Sequence, residues 1–320
     1  MPNATNTTAT EILAASDTAI AMAATLIGEG QPVAVPTETV YGLAADATNA
    51  EAVARIYNAK GRPAFNPLIV HVADLAAAER LAHFDKTALL LAERFWPGPL
   101  TLVVPKRADA PVAGIATAGL DTIAIRVPVN PVMRALLAAC NRPLAAPSAN
   151  ASGSISPTTA AHVVASLGGR IALVIDGGAC KAGLESTIVR SGDRGIAILR
   201  PGPVTREMLA QATGLDVALA YESPAVAIRA PGQLTSHYAP RKPLTCDVLD
   251  APADAYFIGF GVIEGDFNLS ASGDLVEAAA RLFDALHAAD ASGAARIAVA
   301  PIPETGIGRA INDRLRRAAA

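Results

Sequence analysis

Apolar positions along the chain fall into short strand-like runs separated by stretches with helical spacing. Over 11–28, Ile12, Ile20, Leu26, Ile27 and a closing glycine predict one helix. Residues 33–35 read as a short strand, and Asn49 is placed to cap a helix that runs to about Lys60. A strand at 68–72 precedes a helix at 86–95, which Trp96-Pro97-Gly98-Pro99 stops. Strands follow at 100–104 and 122–127, the second alternating Ile123, Ile125 and Val127. A helix from about Pro131 leads through 144–146 into a Ser/Asn/Gly loop, then a helix at 159–167 and a strand at 171–175. Runs at 187–189 and 196–199 flank Ser191-Gly192-Asp193-Arg194-Gly195, a hairpin signal that makes the sheet mixed.

After a helix near 205–212 the periodicity weakens. Residues 213–243 hold Pro224, Pro231, Pro240 and Pro243 and read as a long linker. Linkers of that length are usually disordered or functional, and this one contains Ser236-His237-Tyr238-Ala239-Pro240. Beyond it, a strand at 255–259, a helix at about 274–288, a strand at 296–300 and a helix at 308–319 predict a second, smaller α/β unit. The expected organisation is therefore a tail at 1–10, a first α/β domain at 11–212, the linker, and a C-terminal α/β domain at 244–320.

A length of 320 residues fits two domains. The formal charge of −3 argues against an extended basic face for nucleic acid but leaves room for a local cationic cluster. Mean hydropathy is +0.35, yet the longest apolar-looking stretch, 18–28, falls well short of the roughly 20 residues of a spanning helix. The start, MPNATNTTAT, has no Lys or Arg before an apolar region, so no secretory signal is expected. Cys140, Cys180 and Cys246 are too scattered for a disulfide framework or a zinc site, and the five histidines show no metal-ligand spacing. No protein-held metal, no membrane association and a cytoplasmic location are expected.

The densest polar signal is Pro36-Thr37-Glu38-Thr39-Val40-Tyr41-Gly42-Leu43, directly after a strand, where three hydroxyls and a carboxylate could rim a substrate or merely cap a turn. Lys60-Gly61-Arg62-Pro63, then Asn66-Pro67 and His71, place two cations at a helix C-terminus, where they could merely complement its dipole or, held outward by the Pro-rich loop, take phosphate. His71 lies on an apolar strand, where a histidine is more often structural than catalytic, although its closeness to the cationic loop favours a functional role here. Arg126 stands inside an apolar strand and needs either an internal carboxylate or an anionic substrate as partner. Ala146-Pro147-Ser148-Ala149-Asn150-Ala151-Ser152-Gly153 offers small hydrogen-bonding groups after a strand, and Glu185-Ser186-Thr187 is a weaker signal of the same kind. The chain has neither GxxxxGK[ST] nor GxGxxG, so nucleotide binding would follow another geometry.

Taken together, PTETVYGL, KGRPAFNPLIVHV, TIAIRVP, APSAN-SG, EST and LRPG, in that order, resemble the YrdC-domain threonylcarbamoyl-AMP synthases. SHYAP and the ending GIGRAINDRLRRAA are similar to the long, two-domain form of that family. Phe65 stands where the family often has a polar residue. The resemblance implies a YrdC-like twisted mixed sheet with flanking helices and a smaller Rossmann-like C-terminal domain. It implies that L-threonine, bicarbonate or CO2, and ATP become threonylcarbamoyl-AMP and pyrophosphate, with Mg2+ carried on the ATP phosphates. The product would pass to the machinery that makes threonylcarbamoyladenosine in tRNA, with weak tRNA binding by the chain itself. By the same resemblance, Lys60 and Arg62 are catalytic, and Thr39, His71, Arg126, Ala146 and Ser186 line the threonine site. Arg62, Asn66, Thr122, Ser148, Asn150, Ser156, Arg200 and Tyr238 hold ATP, with the linker closing as a lid. The alternative is an RNA-binding module of the same fold, against which the net acidity counts.

Overall fold

Side-chain caps and left-handed residues set most helix ends. Asn49 accepts the Glu51 and Ala52 N–H groups at 2.9 and 3.2 Å, and Gly61, at φ 61°, closes the same helix. Asp85, Asn130 and Asp274 cap in the same way. The computed structural model describes residues 9–63, 65–192, 195–222 and 237–320. In chain order the first part holds β1 (Glu11–Ala14), α1 (Asp17–Gly28), β2 (Val33–Val35), β3 (Gly42–Asp46), α2 (Ala50–Lys60), β4 (Ile69–His71), α3 (Leu75–Glu79), α4 (Lys86–Phe95), β5 (Leu100–Pro105) and β6 (Thr122–Arg126). It continues with α5 (Pro131–Cys140), β7 (Leu144–Ala145), α6 (Ala160–Leu167), β8 (Leu173–Asp176), β9 (Thr187–Gly192), β10 (Gly195–Arg200), α7 (Arg206–Thr213) and β11 (Val217–Leu219). The second part holds β12 (Leu244–Thr245), β13 (Ala255–Gly259), β14 (Phe267–Asn268), α8 (Leu275–Ala291), β15 (Arg296–Val299) and α9 (Gly308–Ala318).

Among the described residues, the strands of the first part form one 11-stranded mixed sheet in the order β1-β8-β2-β3-β7-β4-β6-β5-β9-β10-β11. The second part is a four-stranded parallel sheet, β12-β15-β13-β14, with α8 and α9 as its main helices. This is the expected α/β class, with a mixed sheet first and a smaller parallel α/β unit after it. The main core buries β3, β5 and β6 beneath α2 and α4, with Leu43, Ile56, Leu91, Leu102 and Ile125 inaccessible or nearly so. The core of the second part is not self-contained. Val40, Ile155 and Leu184 from the first part pack into it beside Leu282, Phe283 and Leu286 of α8.

Several expectations need correction. Residues 11–28 are not one helix: 11–14 form β1, parallel to β8, and α1 starts at Asp17 because Ser16 caps it through the Ala19 N–H at 3.2 Å. The tail is held at its end, since the Thr10 hydroxyl donates to Ile171 O at 2.7 Å. The linker does not begin at 213. After Gly214, in the left-handed region, Val217–Leu219 turns back as β11 and pairs in parallel with β10, completing a strand–helix–strand unit that the short apolar run concealed. The linker's far end is also anchored, with Ala239 N–H on Gly153 O at 2.7 Å. Strands β12 and β14 and helix α3 are too short to show a period, and β3, buried at every position, shows no apolar–polar alternation. Pro224, Pro231 and Ser236, the hairpin tip Asp193-Arg194, and residues 1–8 lie outside the described residues.

Gly183 has φ +68°, and a Cβ there would press on the carbonyl oxygens of Ala279 and Ala280 in α8. Gly183→Ala is therefore expected to cost about 1–3 kcal/mol by wedging the two parts apart. Thermal unfolding should show a midpoint several degrees lower; an unchanged midpoint would contradict this packing.

Candidate active site

The site grows from a parallel strand pair. In β4 and β6, His71 lies opposite Arg126 and Ile69 opposite Ala124, so both polar residues stand at the strand ends on one face. The apolar alternation of β6 buries Ile123 and Ile125 on the other side, in the main core, which leaves Arg126 aimed at the polar face.

The hairpin between β2 and β3 supplies the oxygens that this arginine needs. Thr37 folds the turn locally: its hydroxyl donates to Val40 O at 2.7 Å and accepts from the Thr39 and Val40 N–H groups at 3.2 and 3.3 Å. That fold points Glu38 and Thr39 at Arg126. Its guanidinium reaches Glu38 at 2.6 Å, donates to Thr39 Oγ1 at 2.9 Å and to Gly98 O at 3.2 Å. Burial would raise the Glu38 carboxyl, but Arg126 holds it below the ordinary carboxylate value. Arg126 thus has the internal carboxylate partner, and a cavity beside it as well. His71 is driven down to about 3 by burial and by Arg126, which makes it a neutral imidazole, and its Nδ1 has no hydrogen-bond partner among the described residues.

A second loop, 146–150, forms the opposite wall. Gly42 lets it approach, because a Cβ there would lie 3.3 Å from the Ala146 Cβ. Leu43 N–H then donates to Pro147 O at 2.7 Å and Ala149 N–H to Tyr41 O at 2.8 Å. Lys60, at the end of α2, pins this loop from behind. Its Nζ lies 2.6 Å from Ser148 O, 2.5 Å from Asn150 O and 3.3 Å from Asn150 Oδ1. Burial, with Arg62 adding to it, pushes the lysine well below its usual value.

Two further guanidiniums complete the ring. Arg62 donates to Asn66 O at 3.3 Å and Pro67 O at 3.0 Å, and burial lowers it to about 10. Arg200, at the end of β10, donates twice to Ser186 O and once to Ser186 Oγ, whose hydroxyl also meets Thr101 Oγ1 at 2.7 Å. Beside them, Glu185 accepts from Ser156 Oγ at 2.5 Å and pairs with Arg314 of α9 at 2.9 Å. Tyr238 is fully buried over this end, at φ 65°, with its ring tilted on Phe283 at 5.6 Å and its hydroxyl unpartnered among the described residues.

These groups enclose a cavity of about 40 Å3. Of the residues picked out from sequence, Thr39, Arg62, His71, Arg126, Ala146, Ser148, Ser186, Arg200 and Tyr238 line it. Lys60, Asn66, Thr122, Asn150 and Ser156 do not. Lys60 and Asn150 are committed to the loop wall, Ser156 to Glu185, and Asn66 offers Arg62 only its backbone oxygen. Thr122 opens β6, four positions before Arg126. Lys60, expected to be catalytic, stands behind the wall in this structure, with its Nζ on the Ser148 and Asn150 carbonyl oxygens. Phe65 is exposed and outside the lining. Thr37, Glu185 and His237 join the lining without having been named as site residues, although each sits inside a flagged motif. A larger groove of about 800 Å3, between α3, α5 and the 107–111 loop, gathers none of the expected site residues.

A family model described as "Telomere recombination" matches residues 25–202, and one described as "Threonylcarbamoyl-AMP synthase, C-terminal domain" matches 204–320. The threonylcarbamoyl-AMP synthase of Bacillus subtilis is 41% identical over 97% of this chain and 95% of its own length. That of Pyrococcus abyssi is 41% identical over 93% of each chain. The crystal structure of P. abyssi Sua5 complexed with L-threonine superposes with a TM-score of 0.88, at 38% identity, over 97% of this chain and 98% of that one. With both parts of the chain matched and nearly its whole length aligned, this protein belongs to the threonylcarbamoyl-AMP synthase family.

Proposed function

We propose that this cavity joins L-threonine, carbon dioxide drawn from bicarbonate, and ATP into threonylcarbamoyl-AMP and pyrophosphate. The observation that carries the reading is the placement of Arg126 against Thr39, His71 and Ser186, with Arg62 and Arg200 lining the same cavity. A fork of donors suits a carboxylate, and two further guanidiniums suit phosphates. Arg126 takes the threonine carboxylate, with Thr39, His71, Ala146 and Ser186 shaping the pocket around it. Arg62, Ser148, Arg200 and Tyr238 take the nucleotide. Lys60 acts through the 148–150 loop, which it holds in place.

Holding the carboxylate leaves the amine as the reacting group. The amine adds to carbon dioxide and loses a proton, forming an N–C bond and a carbamate. A carbamate oxygen then attacks the α-phosphorus of ATP, and the bond to the β-phosphate breaks to release pyrophosphate. No protein nucleophile is required. Positioning two anions against each other is the protein's main contribution, and good alignment of reactants is worth about 7–11 kcal/mol. Arg62 and Arg200 offset charge on the phosphates, together with a Mg2+ that enters as part of the substrate. Among the described residues no cluster of His, Cys, Asp or Glu could hold a metal ion, and no helix is long and apolar enough to cross a membrane. The product's destination is the transfer machinery that modifies tRNA.

A water needs about 10–15 Å3 of such space, so a cavity of about 40 Å3 admits about three or four waters, far less than threonine and ATP together need. His237 and Tyr238 must therefore withdraw before either substrate enters. They then have surfaces to return to, as His237 N–H donates to Arg317 O at 3.1 Å and Tyr238 packs on Phe283.

The purified chain should release pyrophosphate from ATP only when threonine and bicarbonate are both present; release that ignores threonine would overturn the assignment. Arg126→Lys keeps a cation beside Glu38 but loses the fork, and should raise the threonine KM about tenfold or more with the ATP KM changed less than about threefold. Arg62→Ala should show the reverse split. Steady-state kinetics with each substrate varied checks both, and matched changes in the two KM values would contradict the division of the site.

A further inference from the structure

A fully buried cation of the second part pairs with a carboxylate that lines the cavity of the first. Arg314, in α9, has a completely inaccessible side chain. Its neighbours on the helix explain its direction: Ala310, Ile311, Leu315 and Ala318 form the buried stripe, and Arg314 stands within it. Its Nε pairs with Glu185 at 2.9 Å, its Nη1 with Asp313 at 2.7 Å, and its Nη2 donates to Pro201 O at 2.8 Å. Asp313 has a second cation, Arg317, at 3.0 Å, so Asp313 stays paired without Arg314. Glu185 has no second ion pair among the described residues. Its other oxygen holds the Ser156 hydroxyl, and the further cations whose charge it feels are Arg200, which the cavity uses, and Lys60, which is committed to the 148–150 loop.

Glu185 is ionised despite its burial: desolvation would raise it, but Arg314 and then Arg200 hold it below the ordinary value. A carboxylate in the wall of a phosphate-binding cavity repels its ligand and competes for the ligand's cations. The guanidinium of Arg314 offsets that charge from the side away from the cavity. By holding Pro201 O it also fixes the turn next to Arg200, where Gly202 packs so closely on Glu185 O that a Cβ would lie 2.6 Å away.

We propose that Arg314, supplied by the C-terminal part, is a positioning residue for ATP: it neutralises Glu185 so that Arg200 and Arg62 stay available to the triphosphate. The C-terminal part is then a structural half of the nucleotide site rather than an appendage to it. The inference rests on the reading of this cavity as an ATP site.

The test uses the full chain and calorimetric titration with α,β-methylene-ATP, which needs no turnover. Arg314→Gln should weaken binding of the analogue about tenfold or more, because it strands a buried carboxylate beside the phosphates. Threonine affinity should change less than about twofold. The double variant Glu185→Gln/Arg314→Gln removes both charges and should return analogue affinity to within about threefold of the parent. That rescue separates charge compensation from packing, since the double variant still lacks the guanidinium, whose carbon lies 5.2 Å from the Tyr238 ring centroid. If the single variant does not fold, the double variant carries the test with the same threefold expectation. Unchanged analogue affinity in Arg314→Gln, equal loss for threonine and the analogue, or a double variant as weak as the single would each overturn the proposal. Threonine-dependent pyrophosphate release by the parent is measured alongside; its absence would fail the functional reading on its own, whatever the variants show.

Discussion

The ion pair between Arg126 and Glu38, 2.6 Å long and almost dry on both sides, is the contact on which the rest of the site depends. A guanidinium removed from water is tolerated only where oxygen meets its donors. β6 delivers Arg126 to the polar face because its alternate positions are locked in the core. The 36–41 turn delivers Glu38 and Thr39 because Thr37 folds it. Neither element could shift without leaving a charge unpaired, so the strand register and the turn hold each other in place. That rigidity lets a cavity open beside the arginine without the arginine collapsing into it.

The same rule, applied to other buried cations, accounts for the remaining walls. Lys60 takes carbonyls of the 148–150 loop, Arg62 those of Asn66 and Pro67, and Arg200 that of Ser186. Each cation organises the segment it bonds to. Carbonyls satisfy hydrogen bonds without cancelling charge, so Arg62 and Arg200 remain net positive while a protein of net charge −3 surrounds them. Arg126 differs in having a true counterion, and accordingly it is assigned to the smaller anion, a single carboxylate.

Much of this was legible in the chain. Helices with a cap residue and a long apolar period, such as those at 86–95 and 131–140, stand where the pattern puts them, and Arg126 announced itself as a charge in an apolar strand. The two-residue strands β12 and β14 show nothing, because a period needs length; β11 lies hidden ahead of a proline-rich stretch, and β1 reads as part of a helix because Ala14-Ala15 carries no break until Ser16. Lys60 illustrates a different limit. A motif names a lysine, but whether its ammonium faces a ligand or a backbone carbonyl is decided by the approach of a loop ninety residues away, which spacing does not encode. Arg314 carried a signal that a helical projection exposes, an arginine within the apolar stripe of α9, though its partner Glu185 lies in the other part of the chain.

The central claim is that Arg126 holds threonine by its carboxylate and leaves the amine to react. Isotope tracing tests it most directly: the chain is incubated with ATP, threonine and carbon-13-labelled bicarbonate, and the adenylate is identified by mass spectrometry. The account predicts an AMP conjugate of threonine that carries the labelled carbon. An unlabelled threonyl-AMP, formed through the carboxylate, would contradict it.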